Sequence, residues 1–203
     1  MTVSPIPINI IAEDELSQAV AIRVLAGFRN RFVIGHTHVS RGAGYIRTRI
    51  AAFNQAARGM PWLVLTDLDL SECPAALIRT WFEGTVKNPN LLLRVAVREV
   101  EAWLLADRDN FSKFAGIRAG NLSKNVEAIE DPKRHLIQLA RKSRSRAIRE
   151  DLVPRPKSTA RQGPNHNGRL IEFVVRHWSP RTAAAHAPSL AATLRCLENY
   201  TPQ

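Results

Sequence analysis

The chain is poor in cysteine. Cys73 and Cys196 are its only two, far apart and without C-x-x-C spacing, so neither a disulfide framework nor a cysteine-based zinc site is indicated. Long apolar runs are also missing. No stretch reaches the roughly 18 uninterrupted apolar residues of a membrane span. The start MTVSPIPINI lacks the basic region and long apolar core of a signal peptide. The expectation is a cytoplasmic protein with no membrane partner. Aromatic residues make up only 6%, and Trp62, Trp81 and Trp103 sit within apolar stretches, which places them in a core rather than on base-stacking platforms.

Acidic charge is in deficit: 18 Asp and Glu stand against 29 Lys and Arg, for a net charge of +11. A polyanionic partner follows as an expectation. The excess gathers in the second half, where Lys133, Arg134, Arg141, Lys142, Arg144, Arg146 and Arg149 crowd one segment. Charge alone fits a solvated face, an acidic protein or a lipid surface as well as nucleic acid.

With 203 residues, 45% of them hydrophobic, the chain can bury about 70% of its unfolded surface. INIIA at 8–12 suits a buried strand, and DELSQAVAIRVLAG carries helical spacing up to Gly27. RFVIGHTHV at 31–39 reads as a second strand, followed by SRGAG and a helix over YIRTRIAAFNQAAR that ends near Gly59. WLVL at 62–65 is a third strand, and Pro74 opens a short helix closed by Gly84. LLLRVAV at 91–97 is a fourth, leading into REVEAWLLAD. Strands apolar on both faces and alternating with helices predict an α/β protein with a mostly parallel four-stranded sheet covered on both sides. Beyond residue 107 only helical patterns recur, in LSKNVEAIEDPKRHLIQLARKS, GRLIEFVVRHW and SPRTAAAHAPSLAATLRCLENY. VPRPKSTARQGPNHNG at 153–168 reads as a loop. The expected organisation is an α/β domain over 1–107 with a helical, basic C-terminal extension over 108–203.

An open parallel sheet binds ligands outside the carboxyl ends of its strands. Acids follow three of the four predicted strands: Glu13 with Asp14 and Glu15, then Asp67 and Asp69, then Glu99 and Glu101. Each has a plain alternative. First-turn acids complement a helix dipole, and post-strand aspartates commonly cap turns. Glu99 and Glu101 would share a face only if the backbone between them is extended. Jointly, carboxylates crowded at one edge repel unless a divalent cation neutralises them. An all-oxygen set suits Mg²⁺ or Mn²⁺, ions that activate water and stabilise the charge developed when a phosphodiester breaks.

A Glu after the first strand, a D-x-D after the third and further acids later resemble the Toprim pattern of topoisomerases, DnaG-type primases, a ribosomal-RNA maturase and OLD-type nucleases. More closely, SRGAGYIRTRIAAFN, WLVLTDLDLSEC, RVAVREVEAWLLAD, DPKRHL and APSL resemble a bacterial Toprim-like family of unknown function, often encoded beside an AAA-type ATPase and associated with phage defence. The resemblance implies a Toprim-like fold. It implies a metal set of Glu13, Asp67, Asp69, Glu99 and Glu101, with Glu13, Asp67 and Asp69 as the catalytic acids. One departure stands out: Asp14 occupies the place of the usual Gly after the Glu, which makes the first loop less free to approach a phosphate.

The expected function is a Mg²⁺- or Mn²⁺-dependent nuclease. Arg41, Lys133, Arg134, Arg141, Lys142, Arg144 and Arg146 would contact DNA or RNA. Two rivals are a non-catalytic basic partner of a companion AAA-type ATPase and a protein that binds nucleic acid without cutting. A homodimer is a further expected partner state. SRGAG matches neither a Walker A loop nor G-x-G-x-x-G. His36 and His38 lack a third His near by and are expected to pack or be solvated. Asp107 is either another site acid or a helix end, and Lys133 is expected on the surface.

Overall fold

The computed structural model describes residues 4–40 and 42–203. Four strands, β1 (Ile6–Ala12), β2 (Phe32–Val39), β3 (Trp62–Asp67) and β4 (Leu91–Ala96), form one sheet in the order β2-β1-β3-β4. Every pairing is parallel, so all four carboxyl ends point to one edge. The protein is α/β, as the alternation predicts.

Local chemistry explains the elements. Helix α1 (Glu15–Ala26) begins because the Asp14 side chain accepts from the Ser17 N–H at 2.8 Å, supplying one of the acceptors that a first turn needs. Leu16, Val20, Val24 and Leu25 form its buried stripe, and Gly27 ends it. Helix α2 (Ala43–Ala56) buries only Ile46, Ile50 and Asn54. Helix α3 (Pro74–Trp81) starts on a proline whose missing N–H costs nothing at that position. Helix α4 (Val100–Ala106) is buried at every residue, because the sheet covers one side and the C-terminal helices the other.

Strand β2 corrects the expectation of a sheet covered throughout. It is an edge strand, and five of its residues, from Val33 to His38, are exposed. Its register against β1 shifts between Ile8 and Ile10. There the Asn9 carboxamide accepts from the His36 N–H at 2.8 Å. A side chain at Gly35 would meet the Asn9 carboxamide oxygen at 2.6 Å and displace it from the His36 N–H, so glycine there preserves this contact. His36 and His38 are exposed, as expected.

The remaining helices are α5 (Arg108–Ala115), α6 (Pro132–Arg141), α7 (Arg146–Leu152), α8 (His166–Arg176), α9 (Pro180–Ala183) and α10 (Pro188–Asn199). The helical pattern over 122–143 is realised only from Pro132, where Asp131 caps α6. The segment before it holds two 3-10 turns, at 119–121 and 126–128. One continuous apolar cluster joins β1, α1 and α4 to α6, α8 and α10. Trp103 and Trp178 are sealed in it, with Trp178 Nε1 donating to the Trp103 carbonyl and Trp103 Nε1 to Ser189 Oγ. Trp62 and Trp81 pack half-buried against the second cluster, on the other face of the sheet.

Candidate functional site

The strand ends deliver the acids as the parallel sheet requires. Glu13 follows β1 directly, and its Oε1 accepts from the Asp67 N–H at 2.9 Å and from the Thr66 hydroxyl. This carboxylate therefore fastens the end of β1 to the end of β3. Burial pushes its pKa up, the Thr66 and Asp67 hydrogen bonds pull it down, and Asp69 and Asp14 push it up again, for a net rise. Asp67 ends β3 and accepts from the Val100 N–H at 2.9 Å. Its carboxyl is held well above the ordinary aspartate range by burial first, then by Glu101, Glu13, Asp69 and Glu99.

Asp69 is exposed and adopts a left-handed backbone with φ 49°, a conformation that short polar side chains tolerate better than most. Arg98 fixes the turn: its carbonyl accepts from the Asp69 N–H, and its guanidinium donates to the carbonyls of Asp69 and Ser71, each at 3.0 Å. Asp14 is extended, at φ −144°. Any residue adopts that conformation, so the backbone after Glu13 does not call for the glycine that stands there in the resembling families.

Glu99 is the extended residue immediately before α4, and Glu101 lies in the first turn of that helix. Glu99 Oε2 accepts from the Lys133 N–H at 2.9 Å. Glu101 is 1% exposed, and its Oε1 stands 3.3 Å from Lys133 Nζ and 3.8 Å from His166 Nε2. Its other oxygen, Oε2, and both ring nitrogens of His166 are buried without a hydrogen-bond partner. Burial pushes the Glu101 carboxyl up, but His166 and the Lys133 ammonium outweigh burial and hold it below its ordinary value. Glu99 moves the other way, raised by burial and then by Glu101. The Lys133 ammonium loses solvation, yet Glu101, Glu99 and Asp67 more than offset that loss and raise its pKa.

Lys133 is thus half-buried and ion-paired, which corrects its expected surface position. Asp107 is a helix end and not a site acid: both of its oxygens accept from the Asn110 amide, and Oδ2 also accepts from the Ser179 N–H at 2.7 Å. Among the described residues, no three acidic, imidazole or thiol side chains are gathered as a ready-made metal-ligand group.

A groove of about 1030 Å³ opens beside the acids, with Glu99 and Lys133 in its wall. Helix α6 contributes Arg134, Gln138 and Arg141, and the loop after α7 contributes Arg155, Lys157 and Arg161. Of the expected nucleic-acid contacts, Lys133, Arg134 and Arg141 line this groove. Lys142, Arg144 and Arg146 do not, because the turn after α6 carries them away: Arg144 N–H bonds Gly116, and Arg146 pairs with Glu150. Arg41 lies outside the described residues. Sequence reasoning missed His166, Thr66 and Arg98 as neighbours of the acids. A single His in GPNHNG carries no local signal of its partner.

Against known proteins, the chain matches no family model, no curated protein and no solved structure.

Proposed function

We propose that the protein is a Mg²⁺- or Mn²⁺-dependent phosphodiesterase acting on nucleic acid. The observation that carries this reading is the shared wall: Glu99 and Lys133 belong both to the carboxylate edge and to the basic groove. Acid chemistry and a polyanion path then meet at one place.

The residues fit a hard cation. The donors are oxygens, Glu101 holds a buried oxygen with no partner, and Asp67 is pushed up first by burial and then by four neighbouring carboxylates. Mg²⁺ and Mn²⁺ can keep several waters and bind through one or two carboxylates plus substrate phosphate. Asp67 and Asp69, aided by Glu99 or Glu101, would hold it. Bound there, it would activate a water and offset the charge of the breaking phosphodiester.

The protein's own groups have distinct tasks. Glu13, with its raised pKa, is suited to exchange a proton with an attacking or leaving oxygen. Lys133 and Arg134 stand where the groove meets the acids, and Arg141, Arg155, Lys157 and Arg161 continue the cationic wall that would neutralise phosphates without reading bases. The resemblance to Toprim-type proteins supports the same assignment.

Incubation of the protein with plasmid, single-stranded DNA and RNA, with and without Mg²⁺ or Mn²⁺, tests the reading. Metal-dependent cutting that disappears in Asp67→Ala is the expected result. No metal-dependent cutting, or cutting that survives Asp67→Ala, overturns it. The Lys133–Glu101 ion pair favours one rival, binding without cleavage, because the ammonium already supplies positive charge among the acids. That rival gives saturable nucleic-acid binding with the strands left intact.

A further inference from the structure

A second arginine cluster lies at the opposite edge of the sheet. The turn at 27–31 joins the end of α1 to the start of β2, so in this parallel sheet it stands a full strand length from the acids. Two adjoining hollows of about 250 and 530 Å³ meet there and share Phe28, Arg29 and Arg181 in their walls. Arg23 lines the first and Arg31 the second.

These four guanidiniums are held by backbone and ring faces. Arg23 Nε donates to the Trp178 carbonyl at 3.1 Å, and Arg31 Nη2 donates to the Tyr200 carbonyl at 2.5 Å. Arg181 sits 5.9 Å over the Phe28 ring and Arg31 5.9 Å over the Phe32 ring. Among the described residues none of the four has a carboxylate within ion-pair distance. Glu198 is the only acid in either wall. Arg31 Nε is buried and donates to nothing. Arginine keeps its charge, so this rim is a patch of positive charge without internal ion pairs, electrostatically complementary to an anion from outside.

The smaller hollow also has apolar lining, from half-buried Phe28, Pro180 and Leu194 over the buried Val24. A phosphodiester backbone matches the basic rim but brings no apolar group of its own to that lining. An acidic peptide with one bulky apolar side chain matches both parts, because arginine clusters recognise acidic motifs and a small apolar recess anchors a side chain. We propose that this face docks an acidic, hydrophobically anchored segment of a partner protein. The site is separate from the carboxylate edge and does not depend on the phosphodiesterase reading.

Fluorescence anisotropy with the full chain tests it, using a labelled short peptide of Asp and Glu around a central Phe. Saturable binding is expected. It should weaken roughly tenfold or more in Arg29→Glu and in Arg181→Glu, since each removes a charge-assisted contact. Replacing the peptide's Phe by Ala should weaken it too. Arg155→Glu, in the distant groove, should leave it unchanged. Both rim arginines are exposed, and melting curves check that the variants fold. Three results overturn the proposal: no saturable peptide binding, equal loss in Arg155→Glu, or a labelled DNA duplex in place of the peptide as the ligand whose binding falls in Arg29→Glu and Arg181→Glu.

Discussion

The Lys133 ammonium stands 3.3 Å from a carboxylate oxygen of Glu101, a side chain that is otherwise sealed in the core. The pair joins α6 of the C-terminal half to α4 at the sheet edge. Its placement makes Lys133 the internal counter-ion of the acid cluster.

Replacement of that lysine therefore leaves Glu101 buried and under-compensated. Lys133→Met is expected to cost about 1–2 kcal/mol, less than a fully sealed pair would cost because the lysine side chain is 36% exposed. Mn²⁺ should recover more of the melting temperature in the variant than in the parent, since the ion substitutes for the lost charge. Thermal melts with and without Mn²⁺ decide this, and a variant that melts like the parent refutes it.

Asp67 has the opposite character. Folding raises its pKa, so the folded state holds the proton more tightly than the unfolded chain does. Across the window from about 3.9 up to that raised value the unfolded chain binds fewer protons, and this carboxyl's contribution to stability falls as pH rises. Asp67→Asn keeps an oxygen for the Val100 N–H and removes the charge. It should stabilise the protein, without added divalent ions, by about 1 kcal/mol at neutral pH. Urea unfolding at several pH values is the measurement. Lower stability than the parent at neutral pH would refute the reading.

The groove has a salt signature. If Arg155 and Arg161 each contact a phosphate, Arg155→Ala and Arg161→Ala should each lower the slope of log affinity against log salt by about 1. Arg146→Ala, at a residue paired with Glu150 away from the groove, should leave it unaltered. Filter-binding titrations across a salt series give both slopes.

Asp14 separates capping from catalysis. Asp14→Ala should cost about 0.5–2 kcal/mol through the lost cap of α1, and Asp14→Gly only a few tenths more than nothing. Because the backbone there is extended, Asp14→Gly should not raise the proposed cleavage. A large gain of activity would show that the side chain, and not the backbone, obstructs the crevice.

Local physics made much of this legible. The swing of apolar spacing between period two and period 3.6 located β1 to β4 and α1 to α4, and Pro74 and Gly27 marked helix ends by chemistry that acts within a few residues. Once the strands are parallel, Glu13, Asp67 and Glu99 must lie at one edge, because each stands at or just past a strand's carboxyl end. Periodicity overran at 122–131, where Asp131, restricted by the following Pro132, starts α6 late.

What the sequence determined by itself was the order of elements, since that depends on contacts between near neighbours, and the alternation of strand and helix implied the parallel sheet that puts the acids at one edge. Only the tertiary structure decided that β2 is an exposed edge, because exposure follows from strand order and not from composition. Only packing brought Lys133 and His166 to Glu101, and folded the loop after α7 against α6 to build the basic groove. Those partners lie tens of residues apart in the chain. Their meeting is set by how the helices bury their apolar faces together, a long-range constraint that no local spacing records.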